Sequence, residues 1–295
     1  DKLKPGEAAI LGNTRQHQGE EENNPTLALQ FARHGRYVAV GGFSKAHREQ
    51  ASNFGILDLR AGFATRSQLR DMKKLEPWAG KSDKYSVAIL GGVKKEKIKT
   101  GLVGFSQIYD AIIPGGIVLN TLLKVKGYEI GDSIIRDGGK TFERDAKQVL
   151  QTSSAKILLP EIVAIARKTR SSFKSYQDIN RIPITKGVPE GYSIVGYQFT
   201  QEMHDCLEKV IDENGRALAA GTAGILGLDP ATNAIQEKSP RLGNLLMALG
   251  GDTSAELGHS TYSSGGGSAL YFIINKTTPV YEKLRENKEK FEVNF

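Results

Sequence analysis

Three short apolar runs in this chain, none alternating with polar residues, stop abruptly at paired glycines. Ala88-Ile89-Leu90 runs into Gly91-Gly92, Ile112-Ile113-Pro114 into Gly115-Gly116, and Leu245–Leu249 into Gly250-Gly251. A further glycine cluster, Gly265-Gly266-Gly267, follows Ser260–Ser264. A strand that is apolar at every position has to be covered on both faces, which is the condition of a parallel sheet flanked by helices. Amphipathic stretches of helical period lie between the runs, so the order β-α-β-α repeats over 87–263.

This order predicts an α/β fold: a doubly wound parallel sheet forming a Rossmann-like nucleotide domain, with a partial second α/β domain. Further strands are expected at Ala8–Leu11, Arg36–Val40, Lys156–Leu159, Ser193–Val195 and Ala217–Ala220. Thr200 can cap a helix in which Met203, Leu207, Val210 and Ile211 share a face before Asn214-Gly215 ends it. Lys140–Gln151 places Phe142, Ala146, Val149 and Leu150 on one stripe. The polar helical stretch Thr65–Leu75, then Pro77-Trp78-Ala79-Gly80 and a charged run to Lys84, reads as an interdomain helix and linker over 65–84. It separates an N-terminal portion, 1–64, from the main domain, 85–275, and 276–295 reads as a C-terminal tail. Lys168–Glu190 reads as loop-rich.

Composition narrows the function classes. The chain has 295 residues, 39% hydrophobic and 25% charged. No apolar stretch approaches the ~18–20 residues needed to span a bilayer, so no membrane partner is expected. A single cysteine, Cys206, lies on the apolar stripe of a predicted helix. It fits a small core residue in the cytoplasm or another reducing compartment. The net charge of +7 suits an anionic ligand.

In an open parallel sheet, ligands bind beyond the carboxyl ends of the strands, where these glycines fall. Glycine lets a backbone approach a phosphate, and helix N-termini present amides and a positive dipole end. Asp252, directly after Gly250-Gly251, suits a Mg²⁺ ion, and Lys94 and Lys97 suit phosphate charge. Any one Gly-Gly turn is also an ordinary tight connection, and Lys94–Lys99 is also a plausible solvated helix face. No Gly-x-x-x-x-Gly-Lys-Ser/Thr loop and no zinc-type Cys/His spacing occurs.

The segments AILGGVKKEKI, IIPGGIVLNTLLKVKGYEIGDSII, GGDTSAEL and SSGGGSALY, in this order, resemble the phosphoglycerate kinase family. Upstream, ILGNTRQHQGEEENN and FSKAHREQAS resemble its Leu-Glu-Asn-x-Arg-Phe strand and its Phe-Gly-x-Ala-His-Arg loop. The resemblance implies an ATP-dependent phosphotransferase of glycolysis that acts on 3-phosphoglycerate and 1,3-bisphosphoglycerate with Mg-ATP or Mg-ADP. It implies that Arg15, His47 and Arg48, in a partial acid-substrate domain, contact the phosphorylated acid. Gly91, Gly92 and Lys94 would line the nucleotide phosphates, Gly115 and Gly116 the adenine, and Gly250, Gly251, Asp252 and Thr253 the Mg-nucleotide. Lys97 and the amides of Gly265, Gly266 and Gly267 would face the phosphoryl group in flight.

Several positions depart from the family pattern. Its opening Asp-Phe-Asn and His-Leu-Gly-Arg-Pro motifs have no counterpart, Gly12 replaces a glutamate, and Val40-Gly41-Gly42-Phe43 replaces Asn-Asp-Ala-Phe. The stretch ALAAGTAGILG stands for Trp-Asn-Gly-Pro-x-Gly-x-Phe-Glu, so Ala220 replaces the asparagine and Gly227 the ribose-binding glutamate. These losses motivate an alternative, a pseudoenzyme of the same fold serving as a binding or structural subunit of a macromolecular assembly. Nucleic-acid binding through Arg167–Lys174 and Lys94–Lys99 is not expected, because Phe173 is the one aromatic within either run.

Overall fold

The computed structural model describes residues 3–135, 139–168, 176–224, 230–259 and 261–292. In chain order the strands are β1 (Tyr37–Val40), β2 (Ala61–Ala64), β3 (Ser86–Leu90), β4 (Ala111–Pro114), β5 (Lys156–Ile157), β6 (Ile162–Lys168), β7 (Tyr176–Pro183), β8 (Tyr192–Tyr197), β9 (Arg216–Ala220), β10 (Leu246–Leu249) and β11 (Tyr262–Ser263). The helices are α1 (Pro25–Ala32), α2 (Arg66–Leu75), α3 (Val103–Ile108), α4 (Gly116–Val125), α5 (Gly139–Thr152), α6 (Gln201–Asp212), α7 (Pro230–Leu242), α8 (Gly251–Leu257), α9 (Gly266–Asn275) and α10 (Pro279–Lys290). The chain divides into two compact units, one of Asp1–Lys73 with Thr277–Phe295 and one of Lys74–Lys276.

In the second unit, six parallel strands lie in the order β11-β10-β9-β3-β4-β5. The chain winds outward from β3 through β4 to β5, then returns to β9 and winds the other way. The winding reverses between β3 and β9, which makes their carboxyl ends the topological switch point of the sheet. Every residue of β3, β4, β9 and β10 is buried, and all but Ser86 and Arg216, which open β3 and β9, are apolar. The Thr200 hydroxyl caps α6 by accepting from the Met203 amide at 3.3 Å, and Met203, Leu207 and Val210 enter the core. The Phe142–Ala146–Val149 stripe of α5 is likewise buried.

The stretch Pro77–Gly80, expected as linker, is fastened into this unit. Trp78 is buried and donates its indole N–H to the Ala217 carbonyl at 2.8 Å. Buried Arg216 donates to the carbonyls of Gly80 (2.6 Å) and Pro77 (3.3 Å), with its guanidinium over the Tyr109 ring. A second sheet, antiparallel and in the order β7-β6-β8, replaces much of the loop expected over 168–190. Ser193–Val195 therefore belongs to an antiparallel sheet and not to the parallel one. Most of the basic run Arg167–Lys174, with Phe173, lies outside the described residues.

In the first unit, β1 and β2 pair in parallel, Tyr37 opposite Ala61 through Val40 opposite Ala64. Asn24 caps α1 by accepting from the Thr26 and Leu27 amides, with Pro25 at the first helical position. The strand expected at Ala8–Leu11 does not form. Its apolar residues face solvent, Ile10 at 98% exposure, and no neighbouring strand among the described residues offers a ladder. The segment set apart as a tail is largely the helix α10, which is part of this unit. Its buried Asn287 donates to the carbonyls of Leu57 (2.5 Å) and Arg60 (2.8 Å) and accepts from the Gly62 amide (2.7 Å). Leaving buried backbone groups unpaired costs ~1–3 kcal/mol each. Asn287→Ala should therefore lose at least ~2 kcal/mol in urea denaturation followed by a probe in the first unit. A loss under ~0.5 kcal/mol would show that these bonds are replaced by water.

Candidate nucleotide site and acid site

At the switch point three turns meet backbone to backbone. The Gly91 amide donates to Ala220 O (3.1 Å) and the Gly92 amide to Thr222 O (3.2 Å). The Gly115 amide donates to Leu90 O (2.7 Å), Gly116 to Ala223 O (3.1 Å) and Ile117 to Gly92 O (2.9 Å). A Cβ on Gly91 would lie 1.6 Å from Thr222 O, and one on Gly115 would lie 2.4 Å from Ala223 O. Glycine is required at both positions because main chain occupies the space a side chain would fill. The four glycines 91, 92, 115 and 116 thus already donate their amides within the chain.

The outer glycines differ. The Gly250 amide donates to Ser263 O at 2.8 Å and the Gly265 amide to Ser263 Oγ at 3.3 Å, so Ser263 ties two glycine runs together. Around the Cα of Gly251 and of Gly266, by contrast, a Cβ would meet nothing within 4 Å. The first helical bond of α9 runs from the Ala269 amide to Gly265 O at 2.8 Å, so the amides of Gly266 and Gly267 precede any intrahelical acceptor. Thr253 is buried and accepts from the Gly221 amide at 3.1 Å, joining the turn after β9 to α8. Its hydroxyl braces the rim. Asp252 is exposed in the first turn of α8.

Lys94 and Lys97 follow the Gly91-Gly92 turn, and Lys97 opens a π-helical stretch, Lys97–Leu102, that leads into α3. This helical segment packs against α9: a Cβ on Gly101 would touch Leu270, and one on Gly104 would meet Ile274 at 2.5 Å. The pairs 101 with 270 and 104 with 274 advance together, so the two helices run parallel. One turn earlier on each stand Lys97 and Gly266, at the same end. Lys97 is half-buried, and desolvation, with Lys94 nearby, pushes its ammonium down to about 8 despite Glu96.

In the first unit, Arg15 follows Asn13, whose side chain accepts from the Arg15 amide at 3.1 Å. Arg48 lies just beyond the turn Phe43–Lys45, with Nε 3.5 Å from His47 Nε2. Asn53 braces this loop, donating to Lys45 O and Arg48 O at 3.1 Å each. Both arginines reach toward one carboxylate, Glu21, with Oε1 3.6 Å from Arg15 Nε and 3.8 Å from Arg48 Nη1. The three residues assigned to the acid substrate are thus brought together. Glu21 is the member that sequence reasoning missed, since an acidic residue in a polar turn carries no distinguishing signal.

A model of the phosphoglycerate kinase family matches residues 1–276. The chain belongs to the phosphoglycerate kinase family. The phosphoglycerate kinase of Zymomonas mobilis is 30% identical over 293 residues, 95% of this chain and 72% of its own length. That of Agrobacterium fabrum is 30% identical over 295 residues, 94% and 71% of the two chains. In fold the chain is similar to the phosphoglycerate kinases of Coxiella burnetii (TM-score 0.69, 24% identity, 93% of this chain and 72% of the other) and Pyrococcus horikoshii (0.73, 21%, 98% and 75%).

Ala220, which replaces the family's asparagine, is fully buried, and its carbonyl receives the Gly91 amide. Gly227 lies outside the described residues. No group of three or more His, Cys, Asp or Glu side chains that could hold a metal occurs among the described residues. No helix among them is long and apolar enough to cross a membrane.

Two predictions test this geometry. The unfolded chain holds Lys97 at about its ordinary 10.5 and the folded chain at about 8, so between these values the unfolded state binds more protons. Stability contributed by this residue therefore rises as pH climbs from 8 to 10.5. Lys97→Met should be more stable than the parent at pH 7, and the gap should narrow by pH 10 in paired urea titrations. A gap independent of pH would contradict the desolvation. Gly91→Ala should destabilise by more than the ~1–3 kcal/mol typical of overpacking, because rigid main chain must move. Melting at the parent temperature would show that the interlock yields freely.

Proposed function

We propose that this chain is a phosphotransferase of phosphoglycerate kinase type, moving a phosphoryl group between Mg-ATP and 3-phosphoglycerate, a step of glycolysis. The observation that carries the nucleotide half is the desolvated Lys97, held at the same rim as the open first turn of α9. A desolvated ammonium gains most from a partner of opposite charge, and a polyphosphate supplies one.

In this reading Lys97 and the amides of Gly266 and Gly267 neutralise the phosphoryl oxygens, and Lys94 draws the polyphosphate in. The glycines 91, 92, 115 and 116 shape the wall of the site through the interlock. Arg15, Arg48 and His47 bind the phosphorylated acid and hold it for attack. The residues fit a magnesium ion carried chiefly by phosphates and water, with the single exposed carboxylate of Asp252 beside it. When bound, that ion would offset charge on the phosphate oxygens.

A second reading has its own support. Ala220 lacks the asparagine's hydrogen-bonding side chain, and the amides of four glycines nearest the switch point are already paired. A protein that kept the fold and lost the nucleotide would serve as a binding subunit of a larger assembly.

Calorimetry with Mg-ADP separates the two. The first reading expects micromolar binding at pH 7 that weakens as pH rises through 8, because the anion prefers protonated Lys97, with Lys97→Met weak at every pH. It also expects turnover of 3-phosphoglycerate in a coupled assay at saturating Mg-ATP. Absence of both binding and turnover would select the second reading.

A further inference from the structure

We infer that Glu21 is an internal counter-anion of the arginine pair, occupying the place of an anionic ligand oxygen and thereby setting the affinity of this site. The inference rests on the acid-substrate reading for the identity of the ligand, but its geometry stands on its own.

One oxygen of Glu21 draws three donors. Oε1 lies 3.6 Å from Arg15 Nε, 3.8 Å from Arg48 Nη1 and 3.5 Å from Gln50 Nε2. These donors come from separate stretches of chain, residue 15 and residues 48–50. Convergence of two guanidiniums and an amide on a single oxygen is how a protein binds a carboxylate or phosphate oxygen. Here the oxygen belongs to the protein.

The placement of Glu21 is fixed by its neighbour. Glu20 is fully buried, and its carboxylate accepts from both the amide (3.0 Å) and the hydroxyl (2.5 Å) of Ser52. Its carbonyl receives the Ala51 amide at 3.0 Å. The side chain of Asn53 in turn accepts from the amide of buried Gln50 at 3.0 Å. The turn carrying Glu21 is therefore pinned to the segment carrying Gln50, and the carboxylate is delivered to the arginines by buried hydrogen bonds. The contacts of 3.5–3.8 Å are long for charge-assisted bonds, and both arginines remain partly exposed. Such a carboxylate can be displaced by an incoming anion.

The charge balance gives the consequence. Two guanidiniums and one carboxylate leave the cluster at +1, and removing the carboxylate charge leaves +2. An anion arriving at the arginines must displace Glu21 or share the donors with it. Glu21 therefore weakens binding of a monoanion and selects for ligands carrying enough negative charge to compete, such as a phosphate dianion.

The test compares the full chain with Glu21→Gln and Glu22→Gln, titrated with inorganic phosphate by NMR and with 3-phosphoglycerate by calorimetry at low salt. Glutamine keeps an acceptor of the same shape and removes the charge. Glu22→Gln makes the same change in net charge one residue away, on an exposed side chain. Glu21→Gln should bind inorganic phosphate roughly three- to tenfold more tightly than the parent, a scale set by partly exposed ion pairs. The gain should shrink at higher salt, and Glu22→Gln should change affinity less than about twofold. Equal gains in both variants, or unchanged or weaker phosphate binding in Glu21→Gln, overturns the inference. If Glu21→Gln gains for phosphate while no variant binds 3-phosphoglycerate, the counter-anion stands and the acid-substrate reading falls. If the parent binds 3-phosphoglycerate and Glu21→Gln gains nothing for either anion, the reading stands and the counter-anion falls.

Discussion

The interlock of the three turns beyond β3, β4 and β9 is the constraint from which the second unit takes its form. Parallel strands alone do not fix where their connecting turns go, because the ladder ends at the last paired residue. Here the Gly91 and Gly115 amides carry the ladder one step further, onto the last strand carbonyls Ala220 and Leu90, and the Gly92, Gly116 and Ile117 amides each find a carbonyl on a neighbouring turn. Buried backbone donors need such partners, and glycine alone permits main chain to approach this closely. The starts of the helices after β3 and β4 are thereby fixed at the rim. Thr253 extends the brace to α8 and Ser263 connects the last two glycine runs. The helical segment that Lys97 opens is pressed against α9, with Gly101 and Gly104 allowing the approach, and burial holds the Lys97 ammonium below its ordinary pKa.

The two cationic clusters solve opposite electrostatic problems. At Lys97 the protein removes water from a positive charge and supplies little compensation, since the nearest influences are Lys94 and Glu96 acting in opposite directions. The cost falls on the folded state, and an anion bound there would recover it. At Arg15 and Arg48 the protein leaves the cations partly in water and provides its own carboxylate. Guanidinium stays charged at any accessible pH, so this pair cannot escape by losing a proton as a lysine can. An internal acceptor is the remaining way to organise it before a ligand is present.

Much of the architecture was legible in the sequence, for a physical reason. Strands buried on both faces carry no alternation, so β3, β4, β9 and β10 announce themselves as apolar blocks, and the caps at Thr200 and Asn214-Gly215 bound α6 cleanly. The antiparallel sheet was harder to see. Register shifts between Ala164 and Ile165 and between Ile165 and Arg167 break the period that marks a half-buried strand, and β7 ends at Pro183. Ala8–Leu11 misled in the other direction, since local β character does not make a strand without a ladder to join. Arg15, His47 and Arg48 could be named from the family pattern, but Glu21 could not, because its role comes from residues 50–53 folding back on the Glu20–Glu21 turn.

The glycines carry a general lesson about reading activity from motif. A glycine after a strand is compatible with two environments, one filled by a ligand and one filled by the protein's own backbone, and the sequence is the same in both. Gly91 and Gly115 are of the second kind, and Gly251 and Gly266 have room for the first. A chain that had lost its nucleotide would still need Gly91 and Gly115, because their removal strikes the sheet itself. Their presence is therefore evidence of fold. Evidence of chemistry has to come from groups the fold gains nothing by keeping: a desolvated lysine at the rim and two arginines gathered on one oxygen. Each is a liability or a neutral feature for stability, and each becomes intelligible once a charged ligand is supplied.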